Sequence, residues 1–411
     1  MDFISYRFWF KFNNVSYIII EGMLLLKQKI RLEKVPRPFM EQFFSPFTKP
    51  EPETVHPDLY GKLIDEGTDL ILEHFKKYSH ERKRLVGLVK KELEIKEARY
   101  EEKLTGLRIT ASDAGNNGVD LRSAFVPMYA SIAILVEGLK MVEEPVCRAG
   151  KPEVWSDEPN ADRREALLTS KIQFEITIEA LEKWKPKLVL LDGTLLLHYE
   201  LIPRVGFSQG YKKDFNSTLE STIKLLTQCF INDIPVVGFV KRTRVNHLSK
   251  KFGAPNLRDT ALLDLILKVG EYTSPNPMDS RMAQIYEKYA KKLKLSTKDV
   301  KEITSFYSSY IRTGFTTPFR LEIPKFCIDK VDEIASILVT TSQEDGIPFA
   351  IEEADRLTKM TTILSNTRTL MLYSKALDLV KKGELEPGDL NLLALQYGEP
   401  WVLREEIPEG V

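Results

Sequence analysis

The segment that most restricts the possible fold is KLVLLDGTLLL at residues 187–197. A continuous Val and Leu run, with Pro186 before it and Gly193 near its end, predicts a central strand buried on both faces. Asp192 would then stand at the carboxyl end of this strand, where α/β sheets bind ligands and metals. Alternatively, Asp192 only caps a turn with Gly193 and Thr194. The segment alone favours neither role, but it predicts an α/β fold.

Composition limits the classes of function. The chain has 411 residues, enough for a large core, and its 59 basic and 59 acidic residues cancel. Any contact with nucleic acid must therefore come from local basic clusters. The three cysteines, Cys147, Cys229 and Cys327, lack metal-ligand spacing, which indicates reduced thiols in a cytoplasmic protein.

The first 104 residues differ from the rest of the chain. Residues 1–55 are predicted to be an extension and linker, because Lys11 and Glu21 interrupt apolar runs that might otherwise cross a membrane and prolines follow. Translation starting at Met23 would also explain this segment. Residues 56–104 predict a helical arm with interleaved Lys and Glu, either a solvated face or a surface for self-association.

The remaining chain is predicted to form one domain over residues 105–382 and a loose tail over residues 383–411, in which prolines prevent long helices. Asp113 is predicted at the end of the domain's first short strand. Asn117-Gly118 follows, a dipeptide typical of tight hairpins. Asp113 would be either a carboxylate delivered to a site or the start of an Asx-turn.

An amphipathic helix is predicted over residues 161–185. Glu175 on this helix is the candidate for a third carboxylate at the Asp192 strand. Glu165 and Glu179 are its competitors, and simple exposure to solvent is the alternative for all three.

A second buried strand, residues 234–240, leads into the basic segment KRTRVNHLSKK. Beside acidic strand ends, such a cluster suits a phosphodiester backbone, although a solvated basic loop has the same composition. Arg320, which alternates with apolar residues in a later strand, is predicted to join this DNA-binding surface. The basic segment contains Lys241, Arg242, Arg244, His247, Lys250 and Lys251.

Carboxylates on strands and helices, with a late acidic residue at Asp355, indicate a hydrolase that holds two divalent cations roughly 4 Å apart. Oxygen ligands of this kind suit Mg²⁺ or Mn²⁺ better than Zn²⁺.

Five stretches, in this order, resemble the NurA nucleases of archaea and some bacteria. The resemblance covers roughly residues 105–365 and implies an RNase H-like mixed sheet flanked by helices, with extra C-terminal α+β elements. It also implies Mn²⁺-dependent 5′ to 3′ exonuclease and single-strand endonuclease activity, a homodimer, and a HerA-type hexameric translocase as partner in DNA end resection and recombination repair. The stretches are SDAGNNGVDLRSAF, EITIEALEKWKPKLVLLDGTLLLH, IPVVGFVKRT, PFRLEIP and IPFAIEEADRLTKMT.

The resemblance also implies roles for single residues. Asp113 and Asp192 match the principal metal ligands, and Glu175 matches a helix carboxylate. Asp355 would complete the metal site, and Lys241 would contact phosphate. Thr194 stands where the family more often has serine.

Two other functions fit parts of the sequence. DGTL is similar to the haloacid dehalogenase phosphatase signature, but Leu190 occupies the position of the nucleophilic aspartate. A non-catalytic DNA clamp or translocase adaptor is the other possibility, against which the retained carboxylates speak.

Overall fold

A computed structural model describes residues 9–12, 15–20, 23–25, 61–101, 104–156, 158–278, 280–293, 295–360 and 362–393. The chain divides into two compact units, Phe75–Gln396 and Met1–His74 with Tyr397–Val411. In the second unit, three short strands form an antiparallel sheet. Most of the predicted N-terminal linker and much of the predicted C-terminal tail lie outside the described residues.

The described residues form sixteen strands and ten α-helices. Three strands belong to the small sheet: β1 (Trp9–Phe12), β2 (Val15–Ile20) and β3 (Met23–Leu25). The others are β4 (Ile95–Glu97), β5 (Arg108–Asn116), β6 (Val119–Asp120), β7 (Phe125–Val126), β8 (Tyr129–Glu137), β9 (Lys140–Met141), β10 (Val146–Ala149), β11 (Leu188–Asp192), β12 (Val236–Val240), β13 (Glu271–Thr273), β14 (Asn276–Pro277), β15 (Phe306–Ile311) and β16 (Phe319–Pro324). The α-helices are α1 (Gly67–Glu92), α2 (Ala161–Trp184), α3 (Gln209–Ile231), α4 (His247–Lys251), α5 (Asp259–Asp264), α6 (Arg281–Lys292), α7 (Thr297–Thr304), α8 (Val331–Thr341), α9 (Phe349–Thr358) and α10 (Thr362–Lys381).

One eleven-stranded mixed sheet organises this unit, in the order β10-β8-β5-β11-β12-β16-β15-β13-β4, with β9 beside β8 and β14 beside β15. Strands β5, β11 and β12 are parallel, and the other neighbours are antiparallel. Residues 188–191 of β11 are all buried, as their unbroken apolar run predicts. The predicted α/β class and mixed sheet are confirmed.

The two faces of the sheet are covered by different helices. Thr177 of α2 hydrogen-bonds the Ser112 side chain, so α2 covers the face to which Ser112 points. Successive strand residues point to opposite faces, so Asp113 faces the other way, toward Asp355 of α9. We call the Asp113 face the front face and the Ser112 face the back face.

The predicted tight hairpin after Asp113 is wrong. Strand β5 continues to Asn116, which pairs with Tyr129, and the connection between them contains the short β6–β7 pair. Gly118 serves a close approach instead, since a Cβ there would lie 2.3 Å from the Phe125 ring.

The helical arm is also shorter than predicted. Helix α1 ends at Glu92, and Ile95–Glu97 forms strand β4 against β13, although residues 88–105 contain no Gly or Pro that would end the helix. Leu85, Val89 and Leu93 are buried in a core with residues of α5. Tertiary packing and strand pairing therefore override local helix propensity here.

The long elements agree better with the prediction. Helix α2 covers residues 161–184 of the predicted 161–185, and β12 lies within the predicted 234–240. Within the described residues, no helix combines the length and apolar character needed to cross a membrane.

Candidate metal centre

Strand register places Asp113 and Asp192 side by side. In the parallel pair, Leu191 is the partner of Ser112, so the next residues on both strands are the two aspartates. They point to the front face at the edge where β11 and β12 end, which we call the carboxyl edge. The prediction that Asp192 ends a buried strand is confirmed, whereas Asp113 lies three residues before the end of β5.

A third carboxylate arrives from α9. Helix α9 packs on the front face and carries Asp355. One oxygen from each of Asp113, Asp192 and Asp355 lies within 4.8 Å of the others. Lys241, directly after β12, places its Nζ 2.6 Å from Asp192 Oδ2 and 3.3 Å from Asp355 Oδ2. Residues more than 240 positions apart in the chain thus meet in one acidic cluster with one ammonium group.

Burial and like charge raise the pKa values of Asp113 and Asp192. Burial, and then the Asp192 charge, raise the pKa of Asp113 to about 7. Burial also raises the pKa of Asp192, although the Lys241 hydrogen bond and charge oppose this. Burial lowers the pKa of Lys241, but contact with Asp192 and Asp355 outweighs it and the net shift is upward. The cluster therefore favours a bound cation, which would offset the repulsion among the acids.

Polar side chains on the back face hold the backbone of the aspartate strands. Gln173 of α2 donates from Nε2 to the carbonyls of Ser112 at 2.9 Å and Asp192 at 3.1 Å. Ser131 of β8 donates to the Asp113 carbonyl at 2.7 Å. Sequence analysis missed Gln173, because a lone glutamine on an apolar helix gives no signal of its own.

Glu175 does not join the cluster. It lies two residues after Gln173, and residues two apart point to roughly opposite sides of a helix. Its carboxylate lies 3.3 Å from Arg148 and accepts a hydrogen bond from Ser221 of α3. Because α2 covers the back face, Glu175 is on the wrong side of the sheet to share a cation with the three aspartates.

The two competing glutamates have other partners. Glu165 is buried and accepts hydrogen bonds from Asn116 Nδ2, Gly118 N and Met128 N, so it fixes the β5–β8 connection. Glu179 pairs with Arg148 at 2.6 Å on the α2 surface.

The basic segment begins at the cluster and continues into solvent. Lys241 is the member within the site, while Arg242, Arg244 and His247 are exposed beyond the end of β12. Arg320 does not share this surface: it is buried and forms an ion pair with Glu322. A DNA contact from Arg320 therefore conflicts with the structure.

The loop after Asp192 is held from the back face. Glu322 of β16 accepts hydrogen bonds from Leu195 N at 2.9 Å and Leu196 N at 3.0 Å. A Cβ at Gly238 would lie 2.8 Å from the Gly193 carbonyl, so glycine permits this approach. Leu190, which stands where the phosphatase signature has its nucleophilic aspartate, is a fully buried hydrocarbon side chain, so the phosphatase alternative lacks a nucleophile.

The residues present fit a divalent cation of the hard, oxygen-preferring type. Three carboxylates converge, two of them mostly buried, and the donor set contains oxygen without sulfur or imidazole. Asp113 and Asp192 would hold such an ion from the strands and Asp355 from α9.

Comparisons with known proteins identify the family and the fold. The model of the NurA domain matches residues 107–360. The crystal structure of the NurA nuclease from Sulfolobus solfataricus is similar at a TM-score of 0.59 and 14% identity, over 81% of this chain and 99% of that one. A structure of NurA with manganese has a TM-score of 0.51 and 12% identity, over 76% and 98%. No curated protein sequence matches this chain.

The fold and the family match define the class of protein as an RNase H-like nuclease, which hydrolyses phosphodiester bonds. Its carboxylates lie at the carboxyl edge of the sheet. The family model covers more than half of the 411 residues. This chain belongs to the NurA family.

Proposed function

We propose that this protein is a manganese-dependent deoxyribonuclease that cleaves single-stranded DNA and degrades DNA ends from 5′ to 3′. The meeting of Asp113, Asp192 and Asp355 beside Lys241 is the observation that supports it most strongly. Manganese is also present in one of the similar NurA structures. Mg²⁺ is the alternative ion, since it prefers the same ligands.

In this proposal, Asp113, Asp192 and Asp355 are the metal ligands and Lys241 is the phosphate contact. Divalent cations bound there, two in our proposal, would supply an activated water and stabilise the leaving oxygen. Lys241 would turn from the acids toward the scissile phosphate and offset its charge. Exposed Arg242, Arg244 and His247 would hold the phosphates that follow along the strand.

We further propose that the protein works in the cytoplasm as a homodimer with a HerA-type hexameric translocase, in DNA end resection and recombination repair. Helix α1 supports a partner surface, because its first turns expose Leu70, Ile71 and Leu72 to solvent by half or more. Sedimentation of the pure protein tests the dimer. Co-purification with a HerA-type hexamer tests the partnership, and a chain that neither dimerises nor binds such a hexamer would contradict this part.

The activity is tested with end-labelled single- and double-stranded DNA and the full-length protein in Mn²⁺, Mg²⁺, Ca²⁺ or Zn²⁺. We expect Mn²⁺-dependent cleavage and its loss by at least about 100-fold in Asp192→Asn, since a direct ligand should matter at least as much as an outer-shell partner. Leu139→Ala, on an exposed turn at the opposite edge of the sheet, is the control and should cleave like the wild type. Wild-type rates in Asp192→Asn would refute the site, and a chain that binds DNA and metal without cleaving would favour the non-catalytic clamp.

A further inference from the structure

An exposed aromatic ring stands at the same edge of the sheet as the carboxylate cluster. Phe315 lies in the connection between β15 and β16, and its side chain is 83% exposed. Single exposed apolar side chains are common, so it is the place of this ring, at the edge that carries the carboxylates, that bears on function.

Strand pairing locates this connection. Asp192 of β11 pairs with Phe239 of β12, and Phe239 pairs with Leu321 of β16. Phe319, where β16 begins, is therefore two residues, about 7 Å along the strand, beyond the level of Asp192. The Phe315 connection extends past the carboxyl edge, two strands to the side of Asp192.

The connection is held in place by the loop that leads into α9. The Phe315 amide donates to the Glu344 carbonyl at 3.4 Å, and Thr316 Oγ1 donates to the Asp345 carbonyl at 2.6 Å. Gly314 approaches the same loop so closely that a Cβ would lie 2.5 Å from Gly346 N. The backbone that carries the ring is thus held by the segment that also delivers Asp355.

The charges around the ring select which part of a nucleic acid it can meet. Arg242 and Arg244 are exposed beyond β12, the strand next to β16, where they would meet phosphates. Glu344 and Asp345 are exposed beside the Phe315 connection and would repel phosphates. The surface around Phe315 therefore suits an uncharged, flat ligand, and each nucleobase has such a face.

We propose that Phe315 is a stacking platform for a base of the single-stranded DNA whose phosphate lies at the carboxylate cluster. The inference rests on the proposed nuclease function and adds a base-binding subsite to it. Stacking on an aromatic ring tolerates any base, so the subsite would favour unpaired strands without selecting a sequence.

Binding of a short oligo(dT) to the full-length protein in Ca²⁺ tests this directly. Phe315→Ala should raise the Kd roughly 5- to 150-fold, the change that corresponds to the loss of about 1–3 kcal/mol for one base–aromatic stack. An oligomer of abasic sites with the same phosphates should bind wild type and Phe315→Ala equally. Phe315→Tyr should retain the affinity for oligo(dT).

A spectroscopic readout separates stacking from general damage. The fluorescence of Phe315→Trp should fall when oligo(dT) is added, whereas Leu139→Trp, on the exposed turn after β8 at the opposite edge, should not respond beyond the native tryptophans. Unchanged Kd in Phe315→Ala, or equal weakening on the abasic oligomer, would overturn the proposal. Dissociation of a dimer by Phe315→Ala with unchanged DNA affinity would also overturn it, because the ring would then contact a second copy.

Failure of the proposed nuclease function can be distinguished from failure of the base-binding subsite. A wild-type protein that neither binds oligo(dT) nor cleaves DNA in Mn²⁺ overturns the nuclease function and this subsite with it. Mn²⁺-dependent cleavage with no effect of Phe315→Ala on oligo(dT) binding overturns the subsite alone.

Discussion

Two groups of buried charges lie on opposite faces of the same sheet, and they differ in how their charge is satisfied. On the back face, burial raises the pKa of Glu322, but every neighbour opposes that shift: Arg320 and the Leu195 and Leu196 amides. On the front face, burial raises the pKa of Asp113, and Asp192 and Asp355 raise it further.

The difference separates an acid that is satisfied within the fold from acids that are not. Glu322 has its partners within the protein and therefore holds the loop after Asp192 in place. The front cluster keeps three acids around one lysine, which leaves a demand for positive charge that a metal ion would meet. Buried carboxylates alone do not indicate a metal centre; buried carboxylates that repel one another do.

Breaking the back-face pair should have the largest effect on stability. Glu322→Leu leaves Arg320 buried without its partner and should lower the free energy of unfolding by about 3–5 kcal/mol. Urea denaturation measures it. The double variant Arg320→Met/Glu322→Leu should recover at least about 1 kcal/mol, because no buried charge is then left unpaired.

Asp378→Asn is the matched control, since Asp378 forms an exposed pair with Lys381 and should change stability by less than about 1 kcal/mol. A double variant as unstable as Glu322→Leu would show that Glu322 acts through the loop amides and not through Arg320.

Removing an acid on the front face should raise the free energy of unfolding instead of lowering it. An acid whose pKa rises on folding binds more protons in the folded state, so the metal-free protein should lose stability as pH rises from about 4 to about 7. Asp113→Asn removes this loss and should stabilise the metal-free protein at pH 8 by up to about 4 kcal/mol, the equivalent of the full shift.

Thermal unfolding in EDTA at pH 5 and pH 8 measures this effect, and Mn²⁺ should stabilise the wild type but not Asp113→Asn. A variant less stable than the wild type at pH 8 would show that Asp113 is satisfied within the protein, like Glu322.

Gln173 lies on the back face but holds the backbone of the strands that carry the front-face aspartates. Its substitution should have a smaller effect on stability. Gln173→Met keeps the length of the side chain but removes the donors to the Ser112 and Asp192 carbonyls. We expect Mn²⁺ to bind roughly tenfold more weakly, as for other groups that orient ligands, with a loss of about 1–2 kcal/mol in stability. Electron paramagnetic resonance of free Mn²⁺ measures the affinity.

Thr177→Val, one turn along α2, removes hydrogen bonds to the Ser112 side chain and to the Gln173 carbonyl but none to the Ser112 or Asp192 carbonyl, and it is the control for general damage to this helix. Equal Mn²⁺ affinities in wild type and Gln173→Met would remove the positioning role.

Glu175→Gln should have the smallest effect. Its partners Arg148 and Lys171 are surface groups, so we expect Mn²⁺ affinity within about twofold of the wild type and stability within about 1 kcal/mol. A loss of Mn²⁺ binding comparable to that of Asp192→Asn would show that α2 presents Glu175 to the front face in the working enzyme.

Some parts of the site were predictable because their signal is local. An unbroken apolar run ending in an acid predicts a buried strand and its carboxyl end, which is why the sequence alone points to Asp192. The helix register was not predictable in the same way: Gln173 and Glu175 both lie in a wide apolar pattern, and only packing on the sheet decides which one faces the strands. The predicted DNA contact of Arg320 is wrong because alternation shows that a residue shares a face of a strand, not whether that face is solvated.

The sequence by itself determined the α/β class, the long α2 helix and the central strand that ends at Asp192, since each depends on periodicity over neighbouring residues. Only the tertiary structure decided that Asp113 and Asp355 meet Asp192 while Glu175 does not, and that residues 95–97 leave the helix to pair with β13. Those outcomes depend on strand register and on which face each helix covers, and both arise from contacts between residues far apart in the chain.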